Sequence, residues 1–436
     1  MKRYSLLLGF FLLHLISVAL DAKSVGAKGD GIQDDAPYLN LAIARALLIG
    51  EDLFIPAGTY KCEQFGSPYN KILLMDQSGV KTIRIYGEAG TKITTSQPKG
   101  CLLYIFNKNL NVSIENIFFE NTHGITLEQT NALQLLGTNE NSIINFSVRN
   151  CRFEGFSTAI SAQGVKGLFI YNNTFASPRG HDNAQDSSAP AVYIWLADNA
   201  NGQCYNVKIS NNVADGYTGS NVALTHTKRA MDGFVIAIAY GLEIISNETR
   251  NFSEEHLIIQ PPKTFPASKD STFIEGNKFF QAIPLGSMKN GAVLSSNYGI
   301  RVECNYLKID NNIFNDFSTG ILMLPFEVPG WTQHSVMISA NKFYSAQKTF
   351  YHVREAIKVQ GSDTNPATDI TISGNAIQIS GFIVKSSRSA ISLYDCKNVL
   401  LENNRVTLQN LTLNGFTYTT FLKLRCLNVV AKNNNF

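Results

Sequence analysis

Ile-Asp-Asn-Asn-Ile-Phe at residues 309–314 is one of several similar hexapeptides in this chain. Its counterparts are Ile-Tyr-Asn-Asn-Thr-Phe (170–175), Ile-Ser-Ala-Asn-Lys-Phe (338–343) and Ala-Lys-Asn-Asn-Asn-Phe (431–436). They share an asparagine that recurs along the sequence, in most cases two residues before an apolar side chain. It occurs at Asn116, Asn150, Asn173, Asn212, Asn247, Asn277, Asn312, Asn341, Asn375, Asn404 and Asn434. The intervals, from 23 to 39 residues, are too regular for chance and too variable for a coiled coil.

Self-similarity at this period indicates stacked supersecondary units. Short runs of alternating apolar residues, such as Ala-Ile-Lys-Val (356–359) and Ile-Thr-Ile (370–372), predict strands within each unit. We therefore predict an all-β fold, a parallel β-helix in which the recurring asparagines stack as an amide ladder. The apolar content of 44% supplies a core that a disordered chain would lack.

The length and the net charge of the chain limit the number of domains and the classes of binding partner that we expect. The 436 residues would ordinarily suggest two or three domains, but a solenoid grows by adding coils. We expect one long domain, with a cap and the opening of the solenoid at 23–60 and the β-helix at 61–436. The 37 basic residues nearly balance the 34 acidic ones and form no basic block, which argues against a nucleic-acid partner. The oligomeric state is left open.

The seven cysteines form no Cys-x-x-Cys pair, so neither a redox motif nor a metal motif is indicated. Cys151 lies in a ladder segment, and Cys304 and Cys426 lie in strand segments; all three are interpreted as small buried apolar side chains. A metal site formed by His181, Asp182 and Asp186 would have no recognised spacing. We expect neither a metal nor a cofactor.

The N-terminal residues have the pattern of a secretory signal peptide. Met-Lys-Arg is followed by an apolar run from Ser5 to Leu20, whose sixteen residues are short for a membrane span of about twenty. Small residues place the cleavage after Ala19 or Ala22. We predict a signal peptide at 1–22, a secreted or periplasmic location, and no membrane association once the signal is removed. A retained anchor is the alternative.

A helix is predicted at the start of the solenoid. The apolar stretch from Ala36 to Ile49 has Asp34 or Asp35 as its cap, Pro37 in its first turn and Gly50 just past its end. Such a helix would cover the first coil, whose strand edges and apolar surface would otherwise be open. The chain stops at Phe436 inside a ladder segment, and no comparable C-terminal cap is recognised.

Two segments around that helix resemble a known family. They are Gly-Ala-Lys-Gly-Asp-Gly-x-x-Asp-Asp (26–35) and Phe-Ile-Pro-Ala-Gly-Thr-Tyr (54–60), and they resemble the N-terminal opening of pectate-lyase-like right-handed β-helix proteins. That superfamily includes polygalacturonases, phage tailspike glycosidases and exo-polysaccharide lyases. The resemblance implies a right-handed parallel β-helix but says little about the reaction. Asp30, Asp34 and Asp35 lie at this turn and are interpreted as structural.

Alternation along the strands predicts two outward rows of side chains. Alignment of the coils on their asparagines puts the longest excursions between Phe175 and Arg301, and solenoid insertions map to one side. Beside them, the first expected row contains Tyr193, Val235, Ile258 and Arg301. The second contains Trp195, Ala237, Gln260 and Glu303. A groove lined by aromatic and mixed charged side chains suits a sugar chain.

Three segments near these rows resemble polygalacturonase motifs in order and approximate spacing. Met-Asp-Gly-Phe-Val-Ile (231–236) resembles Asn-Thr-Asp-Gly, and Phe-Ser-Glu-Glu-His-Leu-Ile-Ile (252–259) resembles Gly-Asp-Asp with its apolar strand. Tyr-Gly-Ile-Arg-Val-Glu (298–303) resembles the Arg-Ile-Lys segment. The resemblance therefore extends from the opening of the fold to a possible site.

By that resemblance Asp232, Glu254 and Glu255 are the catalytic carboxylates, and Arg301 holds the carboxylate of a uronate. The sequence departs from the family pattern at several points. The residues before Asp232 differ, both paired aspartates are glutamates, the lysine is replaced by Glu303, and the Gly-His-Gly motif is absent.

Glycoside cleavage needs a protonated acid at the leaving oxygen and a carboxylate that activates water. Carboxylates on adjacent coils, about 4.8 Å apart in the backbone, can leave a gap for that water. We predict an exported inverting glycoside hydrolase that acts on an acidic, uronate-containing polysaccharide or oligosaccharide. The predicted substrate-binding residues are Arg301, Trp195, Tyr193, His256, Gln260, Arg229, Lys228 and His181.

Two alternatives remain open at this stage. A polysaccharide lyase or epimerase would use His226, Lys228 or Arg229 as base and neutralising group. A non-catalytic glycan-binding surface protein would need no acid and base, and Ser-Glu-Glu (253–255) would then be an ordinary polar turn.

Overall fold

The fold is known from a computed structural model, and the described part of the chain consists of long ordered segments separated by gaps. The described residues are 19–63, 70–74, 81–106, 110–123, 130–137, 143–176, 192–196, 204–216, 232–237, 239–252, 255–260, 272–281, 298–325, 333–345, 355–380 and 387–436. They form three long parallel sheets, which we name A, B and C.

Sheet A has fourteen strands. They are β1 (Leu20–Asp21), β3 (Leu53–Ile55), β6 (Lys81–Gly87), β9 (Leu110–Glu115), β12 (Ile143–Arg149), β15 (Val165–Tyr171), β18 (Cys204–Ser210), β21 (Ala239–Ile245), β24 (Thr272–Glu275), β27 (Leu307–Asp310), β30 (His334–Ser339), β33 (Ala367–Ser373), β36 (Cys396–Glu402) and β39 (Leu427–Lys432).

Sheet B has thirteen strands. They are β2 (Asp30–Asp34), β4 (Gly58–Lys61), β7 (Thr91–Thr95), β10 (Phe118–Asn121), β13 (Arg152–Glu154), β16 (Thr174–Ala176), β19 (Val213–Asp215), β22 (Glu248–Arg250), β25 (Lys278–Phe280), β28 (Ile313–Asn315), β31 (Lys342–Ser345), β34 (Ala376–Ser380) and β37 (Arg405–Gln409).

Sheet C has twelve strands. They are β5 (Asn70–Leu74), β8 (Gly100–Phe106), β11 (Thr130–Leu136), β14 (Thr158–Gln163), β17 (Val192–Leu196), β20 (Asp232–Ala237), β23 (Glu255–Gln260), β26 (Tyr298–Val302), β29 (Thr319–Met323), β32 (Glu355–Gln360), β35 (Arg388–Tyr394) and β38 (Tyr418–Leu424).

Each coil contributes one strand to each sheet, and each strand pairs in parallel with the equivalent strand of the next coil. Parallel crossovers of this kind are right-handed in nearly all proteins. The chain is therefore a right-handed parallel β-helix, as the sequence predicted. The aliphatic and aromatic residues of all three sheets form one continuous core along its axis.

The predicted amide ladder is present from Asn173 to Asn434. The Nδ2 of each ladder asparagine donates to the Oδ1 of the next at 2.9–3.1 Å, and that oxygen also accepts the backbone N–H of the donor residue. The same Nδ2 groups also donate to main-chain carbonyls of a neighbouring coil. Because most of these amides are buried, each one satisfies polar groups on two adjacent coils.

Asn116 and Asn150 do not belong to this ladder. Both have left-handed backbone conformations, with φ of 59° and 54°, and the ladder position is the following residue, which is Ile117 or Cys151. A left-handed residue precedes the later ladder asparagines too, as at Asn172. Asparagine tolerates this conformation better than most residues, so the pattern in the sequence mixes two structural positions.

Stacked phenylalanines fill the corner next to the ladder. In one run, Phe314 lies between Phe279 and Phe343 with ring centroids 5.0 and 4.7 Å apart. The stack is interrupted where the equivalent positions carry Ala214 and Thr249. In the middle of the solenoid, smaller side chains therefore replace the aromatic rings of the core.

The N-terminal end is covered by the predicted helix, α1 (Ala36–Ile49), which ends at Gly50 with φ of 74°. Asp35 holds the N-cap position, but its carboxylate accepts the N–H groups of Lys28 and Gly29 instead of capping the helix. The carboxylate of Asp34 accepts the Ala36 N–H at 3.2 Å. Both aspartates therefore shape the opening turn, as expected. No helix in the described ranges is long and apolar enough to cross a membrane.

Replacing Asn312 by Leu should lower the free energy of unfolding by about 3 kcal/mol or more. The substitution removes four hydrogen bonds to buried groups, which are the N–H and Nδ2 of Asn277, the Oδ1 of Asn341 and the Ile274 carbonyl, and each lost bond costs about 1 kcal/mol or more. Urea-induced unfolding measured by circular dichroism tests this.

Asn311→Gly is the matched control, since Asn311 is exposed and its φ of 52° suits glycine. It should change stability by less than about 1 kcal/mol. Equal losses in the two variants would contradict the view that the ladder amide, and not the turn, stabilises the coil.

Candidate active site on the outer face of sheet C

Strand pairing in sheet C defines one outward row across four coils. Trp195 pairs with Val235, Val235 with Ile258, and Ile258 with Arg301. Trp195 therefore occupies the place that the sequence alignment gave to Tyr193, which lies two residues earlier on the same strand. The error arose because an alternating pattern is unchanged by a shift of two residues.

The sheet C strands bend after their first residue. In β26 both Gly299 and Ile300 face the core, because a Cβ added to Gly299 would lie 2.6 Å from the ring of Phe314. The next residue, Arg301, then faces outward. In β23 the equivalent bend leaves Glu255 on the outer side, within reach of Arg301.

His256 occupies the inward position of this bend and does not reach the groove. Its side chain is fully buried, its Nδ1 is 2.8 Å from Thr249 Oγ1, and its Nε2 is 3.2 Å from Gln281 Oε1. The rings of Phe252 and Phe317 pack edge-on against it. The expected substrate-binding role for His256 does not fit this position, because alternation fails at the bend.

Arg301 links two carboxylates on the outer face. Its Nε and Nη2 donate to Glu303 Oε1 at 2.9 and 2.6 Å, and its Nη1 lies 3.5 Å from Glu255 Oε1. Both glutamates are almost fully buried, whereas the Arg301 side chain is 34% exposed. Burial opposes the charge of Arg301, but Glu303 and Glu255 outweigh that effect and raise the pKa of the guanidinium.

The Arg301 cluster differs in charge balance from a second buried ion-pair cluster in the described part of the chain. On sheet A a single buried carboxylate, Glu115, lies 2.8 Å from both Arg84 and Arg149. Burial acts to raise the pKa of Glu115, but hydrogen bonds from the two arginines and from Ser113 lower it to about 2. At Arg301 the ratio among the described contacts is reversed, because one guanidinium lies within reach of the carboxylates of both Glu303 and Glu255.

Asp232 is described by its backbone position alone. It pairs with Val192, and Phe234 pairs with Leu257, so the same register places Asp232 opposite Glu255 on the neighbouring coil. Adjacent parallel strands are about 4.8 Å apart. The strands therefore bring the two predicted acids side by side.

Four other predicted residues, Glu254, His181, Lys228 and Arg229, lie outside the described residues. In the sequence they belong to segments 177–191, 217–231 and 253–254, each of which leads directly into a strand of sheet C.

The remaining surface of the groove combines aromatic, apolar and amide groups. Trp195 is 39% exposed three coils before Arg301, and Ile258 lies between them with only 7% of its surface exposed. Gln260 is half-buried two residues beyond Ile258, on the side of Glu303. An exposed indole and a guanidinium are the groups that stack on a sugar ring and bind a carboxylate.

The contacts of two acidic residues were not predicted from the sequence. Glu303, which replaces the lysine of the family pattern, is the main hydrogen-bond partner of Arg301. The Arg-x-Glu spacing, which puts both side chains on one face of the strand, could have indicated this pair. Glu355 holds the position of Glu255 three coils further on, through Tyr298 and Thr319, and is also buried. In the sequence, the acidic residue directly before the strand segment Ala-Ile-Lys-Val (356–359) could have indicated the position of Glu355.

Comparison with solved structures supports the fold. The A-module of a mannuronan C-5 epimerase from Azotobacter vinelandii matches at 13% identity with a TM-score of 0.52, over 94% of this chain and 98% of that one. An exopolygalacturonase from Thermotoga maritima matches at 12% identity with a TM-score of 0.50, over 90% and 91%. A surface adhesin of Streptococcus pneumoniae matches at 14% identity with a TM-score of 0.50, over 95% and 94%.

These similarities show the fold. The chain is a right-handed parallel β-helix, as its N-terminal segments predicted, and the solved structures similar to it include proteins of the pectate-lyase-like type. Identities this low carry the fold alone, and the named neighbours include both enzymes and an adhesin. No protein-family model and no curated protein matches the chain.

Replacing Arg301 by Met should lower the free energy of unfolding by about 2 kcal/mol at neutral pH. Two nearly buried carboxylates would lose their cation, and the usual cost of about 3–5 kcal/mol is reduced because Arg301 is partly exposed. Adding Glu303→Gln should recover part of this loss. Urea unfolding of the single and double variants measures both effects.

Lys208→Met is the control for a solvent-exposed ion pair. Lys208 lies 2.7 Å from Glu243, but both side chains are more than 40% exposed, so the loss should stay below about 1 kcal/mol. If Arg301→Met and Lys208→Met lower the free energy of unfolding equally, the ion pairs of Arg301 contribute no more to stability than a solvent-exposed ion pair.

Proposed function

We propose that this protein is an exported glycoside hydrolase that cleaves an acidic, uronate-containing glycan with inversion of configuration. The observation that carries the proposal is the Glu255–Arg301–Glu303 cluster on the outer face of sheet C, one coil from Asp232. It combines carboxylates for acid and base catalysis with a cation for a uronate, beside an exposed tryptophan.

The acid and base roles go to Asp232, Glu254 and Glu255. In an inverting reaction a carboxylic acid protonates the leaving oxygen, and a carboxylate about 6.5–9.5 Å away activates water on the other face of the sugar. Arg301 would orient a sugar carboxylate, and Trp195 would stack on a ring.

Two other functions on the same groove are supported by particular observations. The similarity to a mannuronan C-5 epimerase leaves proton abstraction at a uronate open, with Lys228, Arg229 or His226 as the base. The apolar positions at Val235 and Ile258, together with the similarity to a surface adhesin, favour glycan binding without cleavage. Products separate these possibilities.

The decisive measurement is the product formed from a panel of uronate-containing and neutral glycans. Hydrolysis gives new saturated reducing ends, elimination gives an unsaturated uronate, and epimerisation changes the sugar without chain cleavage. We expect new saturated reducing ends on a uronate-containing glycan alone. Binding with no product from any member of the panel would favour the adhesin-like function.

On the substrate so identified, Asp232→Asn, Glu254→Gln and Glu255→Gln should each lower kcat by about 100-fold or more. Binding of the glycan should change far less for Asp232→Asn and Glu254→Gln, because the lost interaction is made mainly in the transition state. Glu243→Gln, an exposed carboxylate on sheet A, is the control and should keep full activity. Full activity in a catalytic variant would remove that residue from the mechanism.

Export is proposed with cleavage after Ala19. Leu20–Asp21 pairs with sheet A, the Leu20 N–H donates to the Asp52 carbonyl at 2.8 Å, and Ala22 is fully buried. Cleavage after Ala22 would remove this strand, so the fold favours the earlier site. The surface adhesin among the similar structures is consistent with an extracellular location.

Mass spectrometry of the protein from its natural host should find Leu20 as the first residue. The variant Ala19→Phe should block processing, because signal cleavage requires a small residue at that position. Recovery of wild-type protein with an intact Met1 from a soluble intracellular fraction would rule out this export route.

A further inference from the structure

Cys396 and Cys426 occupy equivalent corner positions of the last two coils. The strands before the corner, β35 and β38, are in register, and so are the strands after it, β36 and β39. The two cysteines therefore lie opposite each other across one strand spacing of about 4.8 Å. Disulfides join residues whose Cα atoms are about 4.4–6.8 Å apart.

The two thiols approach each other on the same side of the corner. The Cys396 thiol donates to the Tyr394 carbonyl at 3.2 Å, and the Cys426 thiol reaches across to the Leu393 carbonyl of the Cys396 coil at 3.5 Å. Burial raises the pKa of the Cys396 thiol, and the neighbouring Cys426 thiol raises it further. No such thiol pair is formed where Cys101 opposes Asn131 or where Cys204 opposes Ala239.

An ion pair fixes the same corner. Arg425 donates to both carboxylate oxygens of Asp395 at 2.6 Å, immediately before the two cysteines. A bidentate pair of this kind restricts the orientation of the two coils. The cysteines are thus held in position before any bond forms between them.

The cross-link would join two adjacent coils. β38 and β39 of one coil pair in parallel with β35 and β36 of the preceding coil. Strands that separate locally become accessible to proteases, and a covalent bond across the pair would oppose that separation.

We propose that Cys396 and Cys426 form a disulfide under oxidising conditions and that this bond joins the two adjacent coils. With glutathione disulfide as oxidant, the more exposed Cys426 thiolate attacks one sulfur and releases one glutathione. The Cys396 thiolate then attacks the mixed disulfide and releases the second. Two protein thiols lose two electrons and two protons, and one glutathione disulfide becomes two glutathiones.

Tryptic digestion after treatment with glutathione disulfide identifies the bond. Trypsin should produce one cross-linked species joining Ser-Ala-Ile-Ser-Leu-Tyr-Asp-Cys-Lys (389–397) to Cys-Leu-Asn-Val-Val-Ala-Lys (426–432), lighter than the two reduced peptides together by two hydrogens. In a limited digest of the native protein, cleavage after Lys423 and Arg425 should become at least about tenfold slower on oxidation. A thiol reductant should reverse both results.

Cys426→Ser provides the test variant, since this side chain is partly exposed and its loss should leave the fold intact. Its cleavage rate should not respond to the oxidant. Cys304→Ser, also partly exposed, is the control and should keep both the cross-link and the protection. Absence of the cross-linked peptide in the wild type, or its presence without slower cleavage, would overturn the proposal.

Discussion

The amide ladder is the constraint on which the rest of the molecule depends. Every ladder asparagine from Asn173 to Asn404 must place its side chain against the next one, which fixes the height and the rotation of each coil. The chain between ladder positions varies from 29 to 39 residues, and this variation is absorbed by the connections between strands. Sheet C can therefore present residues from distant parts of the sequence in straight rows while its connections differ in length.

Because the ladder fixes the rows of side chains on each sheet, two charged clusters on the surface can be compared directly. The Glu115 cluster shows how this fold neutralises a buried carboxylate, since two arginines supply more positive charge than it needs. At Arg301 one guanidinium contacts two carboxylates, and the backbone of Asp232 lies one coil from Glu255 and two coils from Arg301. Clusters of nearly buried ionisable side chains are common where a protein transfers protons or binds a charged ligand, which agrees with the proposed role of this groove.

The sequence could predict the fold because the ladder and its opening segments repeat a local requirement many times. It could not separate Asn116 from Asn173, because a left-handed turn and a buried amide both favour asparagine. It misplaced Tyr193 because alternation does not fix register. The family resemblance proposes Asp232, Glu255 and Arg301 from their order in the chain, and strand pairing places their backbones in sheet C. The contact between Glu303 and Arg301 could not be predicted, because residue types alone do not specify it.

The core beneath the candidate site differs from the core elsewhere, and the bend in sheet C connects the two. Small residues at Ala214 and Thr249 interrupt the phenylalanine stack, and His256 enters the vacant space with hydrogen bonds at both ring nitrogens. Those bonds fix the second residue of β23, and the first residue is Glu255. Since Glu255 and His256 are consecutive residues that face opposite sides of the strand, an imidazole fixed in the core also restricts the position of the carboxylate outside it. The polar group in the core thus supports the groove, as a pre-organised site requires.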